Sequence, residues 1–418
     1  MRRLKNLYHL CLACWGDWYY GHPSRHITVI GVTGTKGKST TVELLSSVLE
    51  ASGKKTAFLS SVHIKVAGAY QRNNTGNTMP GRLFVQRWLR DAVRSGCEYA
   101  ILEVTSQGVT QFRHRYIDFD VGALTCLHPE HIEAHGSYEA YREAKVQFFR
   151  DAAKYSRKKR KAFFVNTDTG PDGQYFTQAI LHPTGTAPRA KVIFYNREDF
   201  IRTVLGGDAD QLGDWLSSGF NLENAATVAS IAEWAGVSRE EILRALADFK
   251  GVAGRMEAFS ATTKSSGGSF TVLVDYAHTP GSFEALFTDL RKRVSGKGRI
   301  IAVFGSYGEG RDKWKRPELG AIAGRLCDES ILTNEGPGEE DPRAIVDAIA
   351  AGLPSGAKHR IILDRREAIR AALESAHAGD IVALVGKGHE SYINLGKKGK
   401  IDWNERRVAE ELLAELSA

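Results

Sequence analysis

The run GVTGTKGKSTT, at 31–41, combines glycines, lysines and hydroxyl side chains in the manner of a phosphate-binding loop. Glycines let backbone amides approach a phosphate, and the dipole of a following helix favours its negative charge. Lys38 is placed to meet the terminal phosphates of a nucleotide, and Ser39 offers a hydroxyl to Mg²⁺. The general pattern has a glycine at the position of Val32, whereas this chain has Gly31 and Gly34. The segment therefore predicts a nucleotide site with altered glycine spacing.

Two further segments carry groups that bind cations. Glu103 ends a predicted strand in EVTSQG, at the carboxyl edge where α/β sheets place ligands. A carboxylate there suits Mg²⁺, which prefers oxygen ligands. The segment HPEHIEAHG invites a zinc interpretation, but Glu133 lies two residues after His131, which is not the HExxH spacing of zinc hydrolases. Lys145, on a predicted helix, is by itself an ordinary surface lysine.

Five more polar segments follow in a fixed order. Each alone is compatible with a capped loop, and only their order is specific. They are GFNLENAA at 219–226, GRME at 254–257, DYAHTP at 275–280, GEGRDKWKRP at 308–317 and GKGHE at 386–390.

Short β-rich runs alternate with amphipathic stretches along the chain, which predicts two α/β domains with parallel sheets. The predicted strands are 27–32, 56–59, 99–104, 120–124, 271–275, 299–304, 329–333, 359–363 and 380–385. The predicted helices include 38–52, 82–94, 137–151, 221–235 and 239–249. We expect a helical segment at 1–26, a central P-loop ATP-binding domain at 27–252 and a C-terminal Rossmann-like α/β domain at 253–418. Glycines at 251–254 mark the border.

The composition is that of an ordinary globular protein, with 418 residues, 42% hydrophobic and 25% charged, which excludes disorder and collagen-like repeats. Five scattered cysteines exclude a disulfide framework and indicate a reducing cytosol. The net charge of +7 suits an anionic substrate such as a nucleotide, but it is too dispersed for a nucleic-acid binder. We expect a cytoplasmic protein without a nucleic-acid partner.

The N-terminal segment imitates a signal peptide, but Asp17 interrupts its apolar run and no cleavage site follows. We favour a helix packed on the first domain. A helix lying on a membrane surface is the alternative that the sequence leaves open. Cys11 and Cys14 have no second cysteine pair nearby, so we expect buried thiols rather than a zinc or redox site. The basic run 157–161 predicts a solvated turn.

The order of these motifs resembles that of the Mur ligases, over about residues 27 to 410. GTKGKST resembles the family's GTNGKTT, and GRME, DYAHTP and GKGHE are similar to blocks of the MurE type, which differs here from the folylpolyglutamate synthases. The resemblance implies an ATP-dependent, ADP-forming carboxylate–amine ligase. It would form an acyl phosphate and add an amino acid to a peptidoglycan-type peptide precursor.

The resemblance also implies roles for individual residues. ATP would be bound by Gly34, Thr35, Lys36, Gly37, Lys38, Ser39, Thr40, Asn224, Arg255 and Asp275, with Asn224 at the adenine. Two Mg²⁺ ions would be bound by Ser39, Glu103, His131 and a carbamylated Lys145. Catalysis would rest on Lys38, Glu103, His131 and Lys145. The peptide acceptor would contact Thr78, Met79, Thr105, Gln111 and Arg113, and the incoming amino acid would contact Arg311, Gly386 and Glu390.

The chain departs from the family at its start, because only about 26 residues precede the first predicted strand. The family has a UDP-binding domain there, so the chain resembles a shortened form without that domain. A UDP-linked acceptor, a lipid-linked or other non-UDP peptide and a polyglutamate all stay open. So do a partner that replaces the domain, peripheral membrane contact through the N-terminal segment and a non-catalytic nucleotide-binding subunit.

Two further departures concern substrate contacts. The family's DNPR stretch, which reads diaminopimelate, is replaced by EGPG at 335–338, so the arginine that would pair the distal carboxylate is missing. Diaminopimelate is therefore disfavoured, and Glu335, Glu339 and Glu340 suit an amine such as that of lysine. Gln107 stands where the family has a histidine, which predicts altered acceptor contacts.

Overall fold

The computed structural model describes residues 2–130, 132–182, 190–208, 212, 216, 218–262, 268–294, 296–308 and 313–417, with side chains from residue 6 onward except at 132 and 133. The predicted site residues His131 and Arg311 lie outside these ranges. The chain divides into two compact units, Met1–Lys250 and Gly251–Ala418. The first unit therefore includes the N-terminal segment, and the division falls two residues before the predicted border.

The described strands of the first unit form one sheet. They are β1 (Thr28–Thr33), β2 (Thr56–Leu59), β3 (His63–Val66), β4 (Ala69–Arg72), β5 (Tyr99–Glu103), β6 (Val121–Leu124), β7 (Lys161–Asn166) and β8 (Ala190–Tyr195). Their order is β4-β3-β2-β5-β1-β6-β7-β8. All pairs are parallel except those of the β3–β4 hairpin, which runs antiparallel beside β2. Parallel pairing brings the carboxyl ends of β1, β5 and β6 to one edge.

Helices connect these strands. They are α1 (Arg2–Tyr19), α2 (Lys38–Ala51), α3 (Arg82–Arg94), α4 (Ser106–Thr110), α5 (Ile132–His135), α6 (Tyr138–Tyr155), α7 (Gly173–Leu181), α8 (Arg197–Thr203), α9 (Gly219–Trp234) and α10 (Arg239–Asp248), with 3₁₀ turns at Pro23–His26 and Thr167–Asp172. Side-chain caps fix several starts, as at Ser137 and Ser238, whose hydroxyls accept a backbone N–H.

Both faces of this sheet are covered, which explains the continuous apolar runs of its strands. On β1, Val29 packs in the cluster that holds Leu89 and Phe148. The next residue, Ile30, packs in the opposite cluster with Leu45 and Ile231. Alternate residues of β1 therefore pack into two different hydrophobic cores.

The second unit contains a further mainly parallel sheet. Its strands are β9 (Glu257–Thr262), β10 (Ser269–Asp275), β11 (Ile300–Phe304), β12 (Glu329–Leu332), β13 (His359–Ile361) and β14 (Ile381–Val385), in the order β13-β12-β11-β14-β10-β9. β9 is antiparallel to β10, and a separate pair joins β15 (Tyr392–Asn394) to β16 (Lys400–Asp402). The helices are α11 (Pro280–Arg293), α12 (Lys315–Leu326), α13 (Pro342–Ala350), α14 (Arg365–Ser375) and α15 (Glu405–Ser417), with a 3₁₀ turn at Gly396–Lys398.

These two sheets confirm the predicted α/β class with parallel sheets, while the edge strands were not predicted. β3, β4 and β9 are short antiparallel additions, and β7 and β8 extend the first sheet. The predicted solvated turn is wrong at Lys161, which begins β7 and is buried. Its ammonium donates to the carbonyls of Ala153 and Ser156, so neighbouring backbone groups compensate the charge.

Helix α1 packs on α3, where a Cβ on Gly16 would lie 2.8 Å from Leu83 Cδ2. Its buried side includes Ala13 and Asp17. The prediction of buried thiols is wrong, because Cys11 and Cys14 are exposed on the other side of the helix. Among the described helices, none is long and apolar enough to cross a membrane.

Candidate active site

The phosphate loop joins β1 to α2, and its tight geometry depends on two glycines. Gly34 and Gly37 have φ angles of +152° and +79°, in the region that favours glycine. A Cβ on Gly34 would lie 2.0 Å from Thr125 Oγ1, and one on Gly37 would lie 2.0 Å from Asn224 Oδ1. The loop therefore packs directly against the end of β6 and against α9, with no room for side chains.

Lys38 is the first residue of α2, and its side chain turns back over the loop. Nζ donates to the carbonyl oxygens of Gly34 at 3.0 Å and Thr35 at 2.9 Å. An anionic phosphate is a stronger acceptor for an ammonium than a backbone carbonyl. The loop and its lysine thus fit a nucleotide, and Thr40 is buried in the same first turn of α2.

The rest of the loop is held against the segment that follows β6. Thr35 Oγ1 donates to the carbonyl of His128 at 3.2 Å and accepts from its N–H at 2.9 Å. The hydroxyl of Tyr141, on α6, donates to the same Thr35 oxygen at 3.0 Å. The carbonyl of Lys36 accepts from Thr125 Oγ1 at 2.6 Å. These bonds fix the backbone that would surround the phosphates.

Three oxygen-bearing side chains meet where β1, β2 and β5 end. Glu103 is 1% exposed, and its Oε1 accepts from the backbone N–H of Ser61 at 2.7 Å and from the Ser61 hydroxyl at 3.1 Å. Ser39 Oγ lies 2.7 Å from Ser61 Oγ. A carboxylate and hydroxyls beside a phosphate loop are donors that suit Mg²⁺. The structure thus brings the predicted Ser39 and Glu103 together and adds Ser61, which the sequence analysis missed.

Lys145 is a buried lysine, not the surface lysine that its sequence position suggests on its own. It is 2% exposed, and its Nζ donates to the carbonyl of Gly34 at 2.7 Å. Burial lowers its pKa well below the usual lysine value, and the nearby Lys38 ammonium lowers that pKa further, while Glu130 opposes the shift. A larger fraction of Lys145 is therefore neutral near neutral pH than for an ordinary lysine.

Asn224 lies on α9, in contact with the phosphate loop. It is 5% exposed, its Oδ1 accepts from the Thr41 hydroxyl at 3.4 Å, and its Nδ2 donates to Asn221 Oδ1 at 3.3 Å. Its side chain also occupies the space in which a Cβ on Gly37 would lie. The Asn224 amide therefore lies beside the phosphate loop of the nucleotide site to which it is predicted to belong.

Glu223, the neighbour of Asn224, is a titratable group that the sequence analysis did not single out. Burial and the carboxylate of Asp168 raise its pKa to about 7, against the opposing charges of Arg197 and Lys36. Its place in the GFNLENAA motif was the available signal. The group is half-protonated near neutral pH, at the same loop.

The predicted acceptor residues fall on two packed segments. Thr78 and Met79 precede α3, and a Cβ on Gly108 of α4 would lie 2.7 Å from Met79 Sδ. The hydroxyl of Thr105 caps α4 by accepting the N–H of Gly108 at 3.0 Å. The two segments thus form one wall at the carboxyl end of β5.

Gln111 and Arg113 continue this wall, joined by an arginine that the sequence analysis missed. Arg113 donates to Gln111 Oε1 through Nε at 3.2 Å and Nη2 at 2.8 Å, and through Nη1 to the Met79 carbonyl. Arg82, at the start of α3, donates to the Gln111 carbonyl through Nη2. The predicted acceptor residues Met79, Gln111 and Arg113 are therefore in direct contact.

In the second unit, the GRME and DYAHTP motifs meet. The Asp275 carboxylate accepts from the backbone N–H of Met256 at 2.8 Å and that of Ala277 at 2.7 Å. The Arg255 guanidinium lies over the Tyr276 ring, 4.6 Å from its centroid. Asp275 thus organises the loop that presents Arg255.

The GKGHE motif forms a second cluster in this unit. Lys387 is fully buried, and its Nζ donates to Glu390 Oε2 at 2.5 Å, Tyr307 Oη at 2.9 Å and the Tyr392 carbonyl at 2.7 Å. Tyr307 also donates to Glu390. The predicted Glu390 is therefore already paired with a lysine that the sequence analysis did not assign.

Glu335 lies beside this cluster, at the first position of the altered EGPG stretch. It is 2% exposed, and a Cβ on Gly386 would lie 2.2 Å from its Oε2. Burial raises its pKa, opposed by the charges of Arg365 and Lys387. Gly386, with φ of +101°, thus makes room for this carboxylate.

Comparisons with known proteins agree with these features. The Mur ligase middle domain matches residues 32–197, and the Mur ligase, glutamate ligase domain matches residues 254–388. A UDP-N-acetylmuramyl-tripeptide synthetase of Roseiflexus sp. is 40% identical over 95% of this chain and 81% of its own length. A UDP-N-acetylmuramoyl-L-alanyl-D-glutamate--2,6-diaminopimelate ligase of Geobacillus kaustophilus is 35% identical over 97% and 82%.

Solved structures extend the comparison. A structure of a UDP-N-acetylmuramoyl-L-alanyl-D-glutamate--2,6-diaminopimelate ligase superposes with a TM-score of 0.60 at 25% identity, covering 96% of this chain and 82% of that one. A folylpolyglutamate synthase of Mycobacterium tuberculosis reaches a TM-score of 0.66 over 90% and 92%, and its 13% identity supports the fold alone.

The phosphate loop and the two α/β sheets therefore belong to an ATP-dependent, ADP-forming ligase, and the chain is a member of the Mur ligase family. Within that family its relatives are MurE-type ligases, which confirms the resemblance found in the motifs. It adds amino acids to peptidoglycan precursors.

Proposed function

We propose that this ligase activates a carboxylate of a muramoyl-peptide acceptor as an acyl phosphate and then joins it to the amino group of an amino acid. A carboxylate oxygen attacks the γ-phosphorus of ATP, and ADP leaves. The amine nitrogen then attacks the activated carbonyl carbon, and phosphate leaves with its bonding electron pair while the amine loses a proton. The observation that carries this proposal is the convergence of Lys38, Ser39 and Glu103 at the phosphate loop.

The residues at the loop divide the work. Backbone amides and Lys38 would hold the phosphates and offset charge on the group in transfer. Ser39 and Glu103 would hold one Mg²⁺, which supplies charge neutralisation when bound. Asn224, whose side chain packs against Gly37, would contact the nucleotide from the first unit. The roles of Arg255 and Asp275 in ATP binding remain predictions from the family resemblance.

A second Mg²⁺ site would use Glu103, His131 and Lys145 in its carbamylated form. An amine is a poor ligand for Mg²⁺, whereas a carbamate provides oxygen donors. The buried Lys145 suits this modification because its lowered pKa increases the fraction of neutral amine, and only a neutral amine reacts with CO₂. Glu130 lies near enough to influence its charge.

The acceptor would lie along Thr78, Met79, Thr105, Gln111 and Arg113. The names of the relatives specify UDP-N-acetylmuramoyl-L-alanyl-D-glutamate, which is the acceptor that we propose first. The test is acceptor-dependent phosphate release from ATP and Mg²⁺ with this acceptor and pooled amino acids, with product mass read from the same tubes. A gain of one amino-acid residue supports the proposal. ATP binding without acceptor-dependent release would contradict it and favour a lipid-linked or other non-UDP acceptor.

The incoming amino acid would be held by Arg311, Gly386 and Glu390, and we propose that it is not diaminopimelate. Glu335 and Gly338 stand in the stretch that reads the distal end of that substrate in the family, and no arginine is among its four residues. A buried carboxylate at Glu335 favours an amino acid with a distal ammonium. Parallel assays with meso-diaminopimelate, L-lysine and L-alanine test this choice. Preference for diaminopimelate would refute it.

We also propose a cytoplasmic enzyme whose α1 helix contacts either the membrane surface or a partner. Large apolar side chains are exposed on this helix, among them Trp15, Trp18 and Tyr19. Such a face suits an interfacial helix or a protein contact. Flotation with anionic liposomes tests the membrane contact of α1. Absence of liposome binding would favour the contact with a partner.

A further inference from the structure

Arg82 and Arg113 form a pair of guanidinium groups around one glutamine. Arg82 Nη2 donates to the carbonyl of Gln111, and Arg113 donates to the Gln111 side-chain oxygen at 2.8 Å. Burial lowers the pKa of both arginines, and the charge of Arg113 lowers the pKa of Arg82 further. Two like charges are therefore held close together in a partly buried place.

Neither guanidinium has a carboxylate partner in the part of the chain that the structure describes. Their hydrogen bonds go instead to neutral acceptors, namely Gln111, the Met79 carbonyl and Asn77 Oδ1, the last at 3.5 Å from Arg113 Nη1. Arg82 Nε is buried and has no partner among the described residues. Two partly buried cations without a counterion are costly, so we expect an anion from outside the chain to be their partner.

The pair lies on the same wall as the predicted acceptor residues. Met79 packs against Gly108 of α4, and the cap of that helix, Thr105, follows Glu103 by two residues. The hydroxyl of Ser106 lies 3.1 Å from His135 Nε2, on the segment that leads to Lys145. The wall thus connects the arginine pair with the segments that carry Glu103 and Lys145.

We propose that Arg82 joins Arg113, already a predicted acceptor contact, in binding the non-reacting carboxylate of the acceptor. This inference rests on the proposed function, because it assumes that the reacting carboxylate faces the phosphate loop. Arg82 is then a specificity-determining residue that completes a two-arginine anion subsite. A planar carboxylate suits this subsite because each guanidinium presents a fork of N–H donors. The N–H of Arg82 Nε has no partner among the described residues and is available to donate to it.

The experiment compares two acceptors that differ in one group. The first is UDP-N-acetylmuramoyl-L-alanyl-D-glutamate, and the second carries a carboxamide in place of the non-reacting carboxylate of its D-glutamate. Calorimetric affinity and KM are measured for wild type, Arg82→Ala, Arg82→Lys and Arg87→Ala. Arg87 is the matched control, since it is an exposed arginine on the same helix, over the ring of Phe84.

We expect wild type to bind the free acid about tenfold to a hundredfold more tightly than the amide. Arg82→Ala is expected to lose most of that preference, with KM for ATP unchanged, while Arg87→Ala keeps it. Arg82→Lys is expected to retain part of this preference, since lysine keeps the positive charge but lacks the two parallel N–H donors of a guanidinium. Melting temperatures show whether each variant is folded.

Equal affinity of wild type for the two acceptors would overturn the subsite, even with full ligase activity. A preference that survives in a folded Arg82→Ala would overturn the role of Arg82. Absence of phosphate release and of binding with both acceptors would instead contradict the proposed function, and with it the subsite. Failure of the carboxylate subsite and failure of the proposed function therefore give different results.

Discussion

The ammonium groups of Lys38 and Lys145 donate to the same acceptor, the carbonyl oxygen of Gly34, at 3.0 and 2.7 Å. They come from different helices, α2 and α6, and meet on the phosphate loop. Burial makes it costly to charge Lys145, and repulsion from the Lys38 ammonium at the same carbonyl adds to that cost. The pKa of Lys145 is accordingly lowered well below the usual lysine value. The fold thus places Lys145 beside a second ammonium, that of Lys38, and raises the neutral fraction of its amine.

Replacing Lys145 with alanine is expected to abolish ligase activity, because the proposed carbamate cannot form. Bicarbonate is expected to leave this variant inactive, whereas acetate or another small carboxylate restores part of the phosphate release. The matched control is Lys154→Ala, an exposed lysine on the same helix. Full activity of folded Lys145→Ala without any added carboxylate would eliminate the carbamate from the mechanism.

Gly37→Ala is expected to impair ATP binding more than any stability loss explains. Its φ of +79° costs about 1–3 kcal/mol for a residue with a side chain. In addition, the new Cβ would lie 2.0 Å from Asn224 Oδ1 and displace the loop. Gly53→Ala has a similar φ of +81° but nothing within 4 Å, so it isolates the backbone cost. ATP affinity and thermal unfolding are measured for both, and equal ATP affinities would count against the loop geometry.

Glu223→Gln is expected to change the pH dependence of stability. The pKa of Glu223 is raised from 4.5 to about 7, so the folded protein holds a proton that the unfolded chain releases between these values. Stability from this group is present below pH 4.5 and is lost as the pH rises to about 7. The glutamine variant lacks this loss, so its melting temperature relative to wild type should be higher at pH 8 than at pH 5.

The control for this prediction is Glu233→Gln, an exposed glutamate on the same helix. It should shift the melting temperature by the same small amount at both pH values. A pH-independent difference for Glu223→Gln would show that its carboxyl is ionised as in an ordinary glutamate.

Lys387→Met is expected to destabilise the second unit by about 3 kcal/mol. The ammonium is fully buried and binds Glu390 and Tyr307, so its loss leaves a partly buried carboxylate without its cation. Lys397→Met serves as the control, because its Nζ is exposed and lies 3.8 Å from Glu339. Denaturant unfolding measures both variants. A loss below about 1 kcal/mol for Lys387→Met would mean that Glu390 is stabilised by other groups.

Most of the regular fold follows from local patterns in the sequence. The strand at Thr28–Thr33 and the helix at Arg82–Arg94 begin and end within one residue of their predicted bounds, because apolar period and turn residues mark them. The hairpin at His63–Arg72 was not predicted. Its strands are short and polar, and they form only because β2 offers an edge to pair with.

The candidate site likewise contains parts that the sequence predicts and parts that it does not. The spacing of Lys38 and Ser39 in the loop, and the order of the later motifs, are properties of the chain read in one dimension. These were sufficient to identify the Mur ligase family and its ATP-dependent chemistry. Local sequence has this power here because a phosphate loop uses consecutive backbone amides and the start of one helix.

Tertiary structure alone decided which distant groups share an environment. Nothing in the sequence around Ser61 or Arg82 marks them, and Lys387 lies in the GKGHE motif without an assigned role. Each of the three nevertheless contacts a predicted site residue. The burial of Lys145 and the raised pKa of Glu223 likewise arise from groups brought together by folding. Charge and hydration depend on neighbours in space, and neighbours in space are fixed only when the sheets and helices pack.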